Sequence, residues 1–273
     1  MTVRSSSAKR WLKRWARRMV AHGSRLAGVG WNGRLTPGLR ILTYHRVTED
    51  PSDPFAVSPR AFALQMEEVA ATGAAVPLDD ALEQMSGGDD SRPRIALSFD
   101  DGTRDFLTDA LPVLARLRLP AVLYVSPARV GEPGFLNWDE IGVIRSGGIQ
   151  IGSHGLDHRS LGRMSAKEVW IQVRESRQVL EDRLGITVTS LAYPYGTMRD
   201  FSDDVKENVK RAGYRSACTS INGVNRRTTD PLELSRTKIE QADGPFYRRI
   251  LLGGLDGWAF VDRHLGSLQN RYA

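Results

Sequence analysis

A chain of 273 residues with 41% hydrophobic and 26% charged side chains has the makeup of one soluble α/β domain or two small ones. Its single cysteine, Cys218, excludes an internal disulfide framework. The net charge of +6 belongs to one end: residues 1–40 hold ten Lys and Arg and no acid, and the remainder, with 28 basic and 32 acidic side chains, is mildly acidic, so no nucleic-acid partner is expected.

The basic end reads as a helix. In KRWLKRWARRMVAHGSRL, residues 9–26, Trp11, Leu12, Trp15, Ala16, Met19 and Val20 recur at helical spacing between Lys and Arg. That is the pattern of a basic amphipathic helix with tryptophans at the border of its faces. The stretch falls short of the roughly 20 apolar residues of a spanning helix and lacks the apolar core of a cleavable signal. The leading reading is a helix lying on an anionic membrane surface, which would hold the protein at the membrane periphery, on the cytoplasmic face before the outer one. The alternatives are an extra helix packing its Trp face on the domain, and an organelle transit peptide. The chain thus divides into an arm, 1–38, and a body, 39–273.

Beyond residue 40 strands and helices alternate. Strands are expected at 40–45, 94–101, 121–126, 149–154, 189–195, 215–220 and 232–239. Helices are expected at 58–73, 77–85, 108–119, 137–148, 166–185 with Gly185 as its stop, and 202–213, and the tail from Pro245 reads as mostly helical. Strand-then-helix repetition implies a parallel sheet, and seven or eight such units without a break in composition imply one closed or nearly closed barrel. A doubly wound open sheet is the alternative, but its usual glycine fingerprint is absent.

In a parallel barrel, functional residues gather where strands end. Those ends present Tyr44 and His45, then Asp100 and Asp101, then Ser153, His154 and His158, then Tyr193 and Tyr195, and finally Arg236. Two adjacent carboxylates at the end of a buried strand repel each other and are costly to desolvate unless a cation neutralises them. His154 and His158, an i, i+4 pair, join Asp101 in a typical three-ligand metal set, and Asp100 is left free as a general base. A divalent ion there would acidify water and polarise a carbonyl oxygen, the requirements of amide or ester hydrolysis. Taken singly, SFDDG is more often a strand-ending turn with a helix-capping Asp, and HxxxH is more often accidental; the two together at strand ends carry the reading.

LSFDDG, SHGLDH and AYPYG, in that order and spacing, resemble the polysaccharide deacetylases, metal-dependent sugar N-deacetylases that share the chitooligosaccharide-deacetylase homology domain. The resemblance runs from about Leu39 to the C-terminus, and TYHRV with AYPYG is similar to the branch acting on exopolysaccharides such as poly-N-acetylglucosamine. It implies an α/β fold, a distorted (β/α)7-8 barrel of parallel strands, holding one divalent ion, zinc before cobalt or nickel. It implies Asp101, His154 and His158 as ligands, Asp100 as base, and the Tyr195 backbone N–H as an oxyanion donor. Two departures stand out: Ala192 occupies the place where many members have an arginine bracing the base, and Leu234-Ser235-Arg236 stands where many have Leu-x-His. Arg236 is therefore expected to brace Asp100 from another strand, and His45 to serve as the acid; a surface-paired Arg236 and a structural His45 are the alternatives. Tyr44, Tyr193 and Trp138 are candidates for stacking on a sugar, with core packing the commoner role for such aromatics. Cys218 and His264 are read as packing and solvated residues. The expected activity is removal of an acetyl or formyl group from an N-acylated sugar in a polysaccharide or lipid-linked glycan. A glycan-binding scaffold and an amidase acting on a non-sugar amide are the other readings.

Overall fold

The computed structural model describes residues 34–264 together with Trp15, Ala16, Met19 and Val20. The chain order begins β1 (Gly38–Tyr44), a two-stranded ribbon of β2 (Arg46–Val47) and β3 (Ala56–Val57), and α1 (Pro59–Ala71) and α2 (Leu78–Ser86). It continues with β4 (Pro93–Phe99), α3 (Leu111–Leu117), β5 (Val122–Val125), α4 (Trp138–Ser146), β6 (Gln150–Ser153) and α5 (Ala166–Leu184). Then come β7 (Ser190–Ala192), α6 (Asp203–Arg211), β8 (Ser216–Cys218), β9 (Thr237–Lys238), α7 (Tyr247–Leu251) and α8 (Ala259–His264). Seven strands make one parallel sheet in the order β8-β7-β6-β5-β4-β1-β9, curled into the distorted barrel that the alternation implies.

The curl is closed by the segment that reads as one strand over 232–239. It changes partners midway: Leu234 bridges Cys218 on β8, whereas Thr237 and Lys238 pair with Leu42 and Thr43 on β1. A single straight strand cannot serve both edges, so only Thr237–Lys238 remains regular. Beneath the joint, the buried Arg40 guanidinium donates to both Asp256 oxygens at 2.7 and 3.0 Å and to Thr237 Oγ1 at 3.3 Å, tying the C-terminal segment to the seam.

Strand alternation divides the core. Leu42, Tyr44, Leu97, Phe99, Leu123 and Val125 point outward to the helices. Leu39, Ile41, Ala96, Val122, Tyr124, Ala192, Cys218 and Leu234 point inward, where Leu78, Ala81 and Met85 of α2 join them. Asp79 of α2 accepts from Gln150 and Thr189, which begin β6 and precede β7, so α2 stoppers the amino-terminal end of the barrel. The carboxyl ends remain for chemistry.

Two further elements depart from what the sequence implies. Strand β7 stops at Ala192 because Pro194 has no N–H for the ladder and Tyr195 is left-handed. The helix expected over 108–119 begins instead as a π-turn, Phe106–Ala110, ahead of Pro112, and ends at Leu117 with Arg118 left-handed. Gly185, also left-handed, closes α5 as expected. Of the arm, Trp11, Leu12 and most of residues 9–26 lie outside the described residues. Ala16 and Val20 pack on the core while Trp15 and Met19 are about half exposed.

Candidate active site

Inward alternation carries β1 to His45, β4 to Asp100, β6 to His154 and the closing segment to Arg236. Along the same wall Thr43 and Ser98 share a hydroxyl hydrogen bond of 2.9 Å, so the lining passes from apolar to hydroxyl to charged toward the mouth.

Asp100 and Arg236 are both buried. Arg236 Nη1 and Nη2 donate to Asp100 Oδ1 and Oδ2 at 2.7 and 2.8 Å, and its Nε donates to the Thr219 carbonyl at 2.7 Å. Isolated burial of either charge would cost several kcal/mol, and the two-pronged pairing offsets that cost. Burial pushes the Asp100 carboxyl up, but Arg236, with His154 and His45 behind it, outweighs burial and holds the group below its ordinary value. Asp100 is therefore an anion at neutral pH. His45 Nε2 lies 3.8 Å from Asp100 Oδ2, and its ring stacks on Phe55 with centroids 5.0 Å apart. Its Nδ1 is buried without a hydrogen bond among the described residues. Burial lowers the His45 pKa against the pull of Asp100 and Asp101.

Asp101 turns away from its neighbour because its backbone is left-handed, φ 75°, followed by Gly102 at φ 72°. Its Oδ1 sits 3.1 Å from His158 Nε2 and 3.5 Å from His154 Nε2, and ligand atoms of all three lie within 4.8 Å of one another. His154 Nδ1 faces the Ala192 carbonyl at 2.8 Å. A carbonyl only accepts, so Nδ1 carries a proton, and the neutral form of the ring has its lone pair at Nε2. Asp101 Oδ1 is buried and accepts no aligned hydrogen bond among the described residues. Three such donor atoms converging on one point fit a divalent cation. Burial works against charge on His154, yet Asp100 and Asp101 outweigh it and raise the imidazole pKa, a field that a cation would satisfy in place of a proton.

Only four non-glycine residues among those described have positive φ: Asp101, His158 and Tyr195 in this cluster, and Arg118 outside it. Left-handed backbone in side-chain-bearing residues is costly and concentrates at functional sites. The Tyr195 ring lies 5.1 Å from that of His158, and its N–H makes no hydrogen bond among the described residues.

The structure thus brings Asp100, Asp101, His154, His158, His45, Arg236 and Tyr195 into one cluster. It does not bring the aromatic candidates there. Tyr44 is buried on the outer face, donating to Gln65 Oε1 at 2.9 Å, and Tyr193 is buried against Phe201, donating to the Leu232 carbonyl. The Arg183 guanidinium covers Trp138. These are packing residues, because outward alternation places both tyrosines among the helices. Cys218 is buried beside the Tyr124 hydroxyl, and His264 is exposed on α8, as expected.

Two supporting residues escape sequence reading. Gln172 Oε1, buried on α5, accepts from the N–H groups of Leu156 and Asp157 at 3.0 and 3.4 Å and so holds the loop between the two histidines. Its signal is a polar residue between Val169 and Val173 on the buried stripe. Asp105 accepts from the Val47 N–H at 2.6 Å and from Arg46 Nε at 2.8 Å, steadying the chain beyond His45. No periodic pattern marks it.

Residues 87–217 match the family model for polysaccharide deacetylase. YxkH of Bacillus subtilis, whose name places it among polysaccharide deacetylases, is 23% identical over 203 residues, covering 74% of this chain and 71% of its own. The poly-beta-1,6-N-acetyl-D-glucosamine N-deacetylase of Staphylococcus aureus is 27% identical over 133 residues, 44% of this chain and 45% of its own. Among solved structures, IcaB from Ammonifex degensii shares the fold with TM-score 0.70 and 24% identity, over 80% of this chain and 99% of its own.

One equivalent of a divalent ion is expected to bind. Asp101→Asn, His154→Ala and His158→Ala should each weaken it by more than the roughly 10–100-fold typical of removing a residue that merely orients a ligand. Titration calorimetry measures this, and undiminished affinity in any of the three would remove that residue from the site.

Proposed function

Since the chain belongs to the polysaccharide deacetylase family, hydrolases that remove acetyl groups from N-acetylated glycans, we propose that the barrel mouth removes N-acetyl groups from glucosamine units of an exopolysaccharide. The observation that carries this reading is the contrast between neighbours. Asp100 is locked as an anion by Arg236, whereas Asp101 points its unsatisfied oxygen at two imidazoles. One carboxylate is equipped to move a proton and the other to hold an ion.

The roles follow. Zinc suits two imidazoles and a carboxylate best, with cobalt or nickel next; such an ion supplies polarisation of the acyl oxygen and a lower pKa for water. Asp100 takes the proton of the attacking water. The unpartnered Tyr195 N–H donates to the acyl oxygen as it becomes negative. His45, facing Asp100, passes the proton that Asp100 has taken on to the sugar nitrogen as the C–N bond breaks, leaving acetate and a free amine. Arg236 orients Asp100 and keeps it ionised without meeting the substrate.

The arm, 1–38, serves the barrel, 39–273, as a peripheral contact with anionic membrane, on the cytoplasmic face or near export machinery. Its basic charge and the exposed Trp15 and Met19 support this. Among the described residues no helix is long and apolar enough to cross a membrane.

Mass spectrometry of polymeric and lipid-linked N-acetylated sugars incubated with the metal-loaded protein is expected to show loss of one acetyl mass per modified unit. Asp100→Asn should slow this by about 10²–10⁴-fold, and His45→Ala by less; unchanged masses with every substrate would overturn the reading. Arg236→Met leaves burial to dominate at Asp100. Because the native carboxyl is held below its ordinary value, its anion survives until pH falls through that depressed point; without Arg236 the acid limb of kcat/KM moves to higher pH. A limb that stays put would deny the bracing role. Co-sedimentation with phosphatidylglycerol vesicles should fall on removal of residues 1–30, and equal binding by both forms would reject the membrane contact.

A further inference from the structure

Asp200 is buried although no charge in the mechanism requires it. It does not cap the helix that follows, since Ser202 fills that position on α6. Its two oxygens face two different loops. Oδ1 accepts from Ser160 Oγ at 2.5 Å, and Oδ2 accepts from the Thr197 N–H at 2.9 Å and from the Thr197 hydroxyl. Ser160 lies two residues beyond His158, and Thr197 lies two residues beyond Tyr195. The backbones also mesh: the Gly162 N–H donates to the Asp200 carbonyl at 3.0 Å, and a Cβ on Gly162 would fall 2.1 Å from the Arg199 carbonyl oxygen.

His158 and Tyr195 are both left-handed, and their rings touch. Such conformations persist only where surrounding contacts over-determine them. Asp200, a carboxylate that binds the chain beyond each of them, supplies that constraint across two strand ends. We propose that Asp200 is a positioning residue tying the His158 loop to the Tyr195 turn, so that ion affinity and turnover both depend on it. The proposal rests on the roles given above to His158 and Tyr195.

The two halves are separable. Ser160→Ala frees the His158 side and is expected to weaken zinc binding about tenfold, with kcat at saturating zinc within about twofold of the parent. Thr197→Val removes the hydroxyl's bond to Asp200 but keeps the N–H bond, loosening the Tyr195 side, and is expected to lower kcat by up to about tenfold while leaving zinc affinity within about twofold. Asp200→Ala does both. Asp200→Asn recovers much of each, because its amide oxygen still accepts the Thr197 N–H and its NH₂ donates to the Ser160 hydroxyl. Zinc affinity by calorimetry, the visible spectrum of the cobalt-loaded protein and kcat on an N-acetylated oligosaccharide are the readouts, with melting temperature as control. A folded Asp200→Ala with parental affinity, spectrum and kcat overturns the proposal. So do Ser160→Ala and Thr197→Val variants that shift affinity and kcat together in step with melting temperature, which also decide the matter if Asp200→Ala does not fold. If the parent binds zinc but deacetylates nothing, the functional reading fails, while affinity and spectrum still judge the tie at His158.

Discussion

The pairing of Asp100 with Arg236 is the constraint around which the mouth of this barrel is organised. It buries two opposite charges at 2.7 and 2.8 Å, so neither is tolerable without the other. The arginine arrives on the segment that closes the sheet, between Leu234 on the β8 side and Thr237 on the β1 side. Closure of the barrel and neutralisation of the buried Asp100 charge consequently depend on one segment. A chain in which that segment failed to bridge the two edges would lose both the seam and the charge that keeps Asp100 an anion.

The same economy appears along the inner wall. Alternation that buries Leu39, Ile41 and Ala96 also brings Thr43, Ser98, His45 and Asp100 inward two residues at a time. Polar groups enter only near the open end, where hydroxyls, a guanidinium and ligands satisfy one another. Ala192, small and inward-facing, lies on the wall with Tyr124, whose ring the Arg236 guanidinium overlies. In this chain Arg236 reaches Asp100 from the closing segment, and Ala192, at the position where the resemblance to the family implies an arginine in many members, stays apolar.

Much of this was legible in residues. The alternation of strands and helices, the end of α5 at Gly185, and the grouping of Asp100, Asp101, His154 and His158 follow from periodicity and from the cost of adjacent carboxylates. Arg236 was legible only as a substitute for something absent. The partner switch at 234–238 was not, because a run of β-type residues does not say which edge each one meets. Tyr44 and Tyr193 appear at strand ends in sequence, but alternation turns them outward, and register decides that. Gln172, Asp105 and Asp200 act through backbone N–H groups and hydroxyls of distant loops, contacts for which no local spacing exists.

Helix α2 has a consequence beyond packing. With Leu78, Ala81 and Met85 seated against the inner apolar layer, the amino-terminal end of the barrel is filled. On the proposed reading, a polymer would therefore be met from outside, at the carboxyl-end mouth where Asp101, His154 and His158 converge.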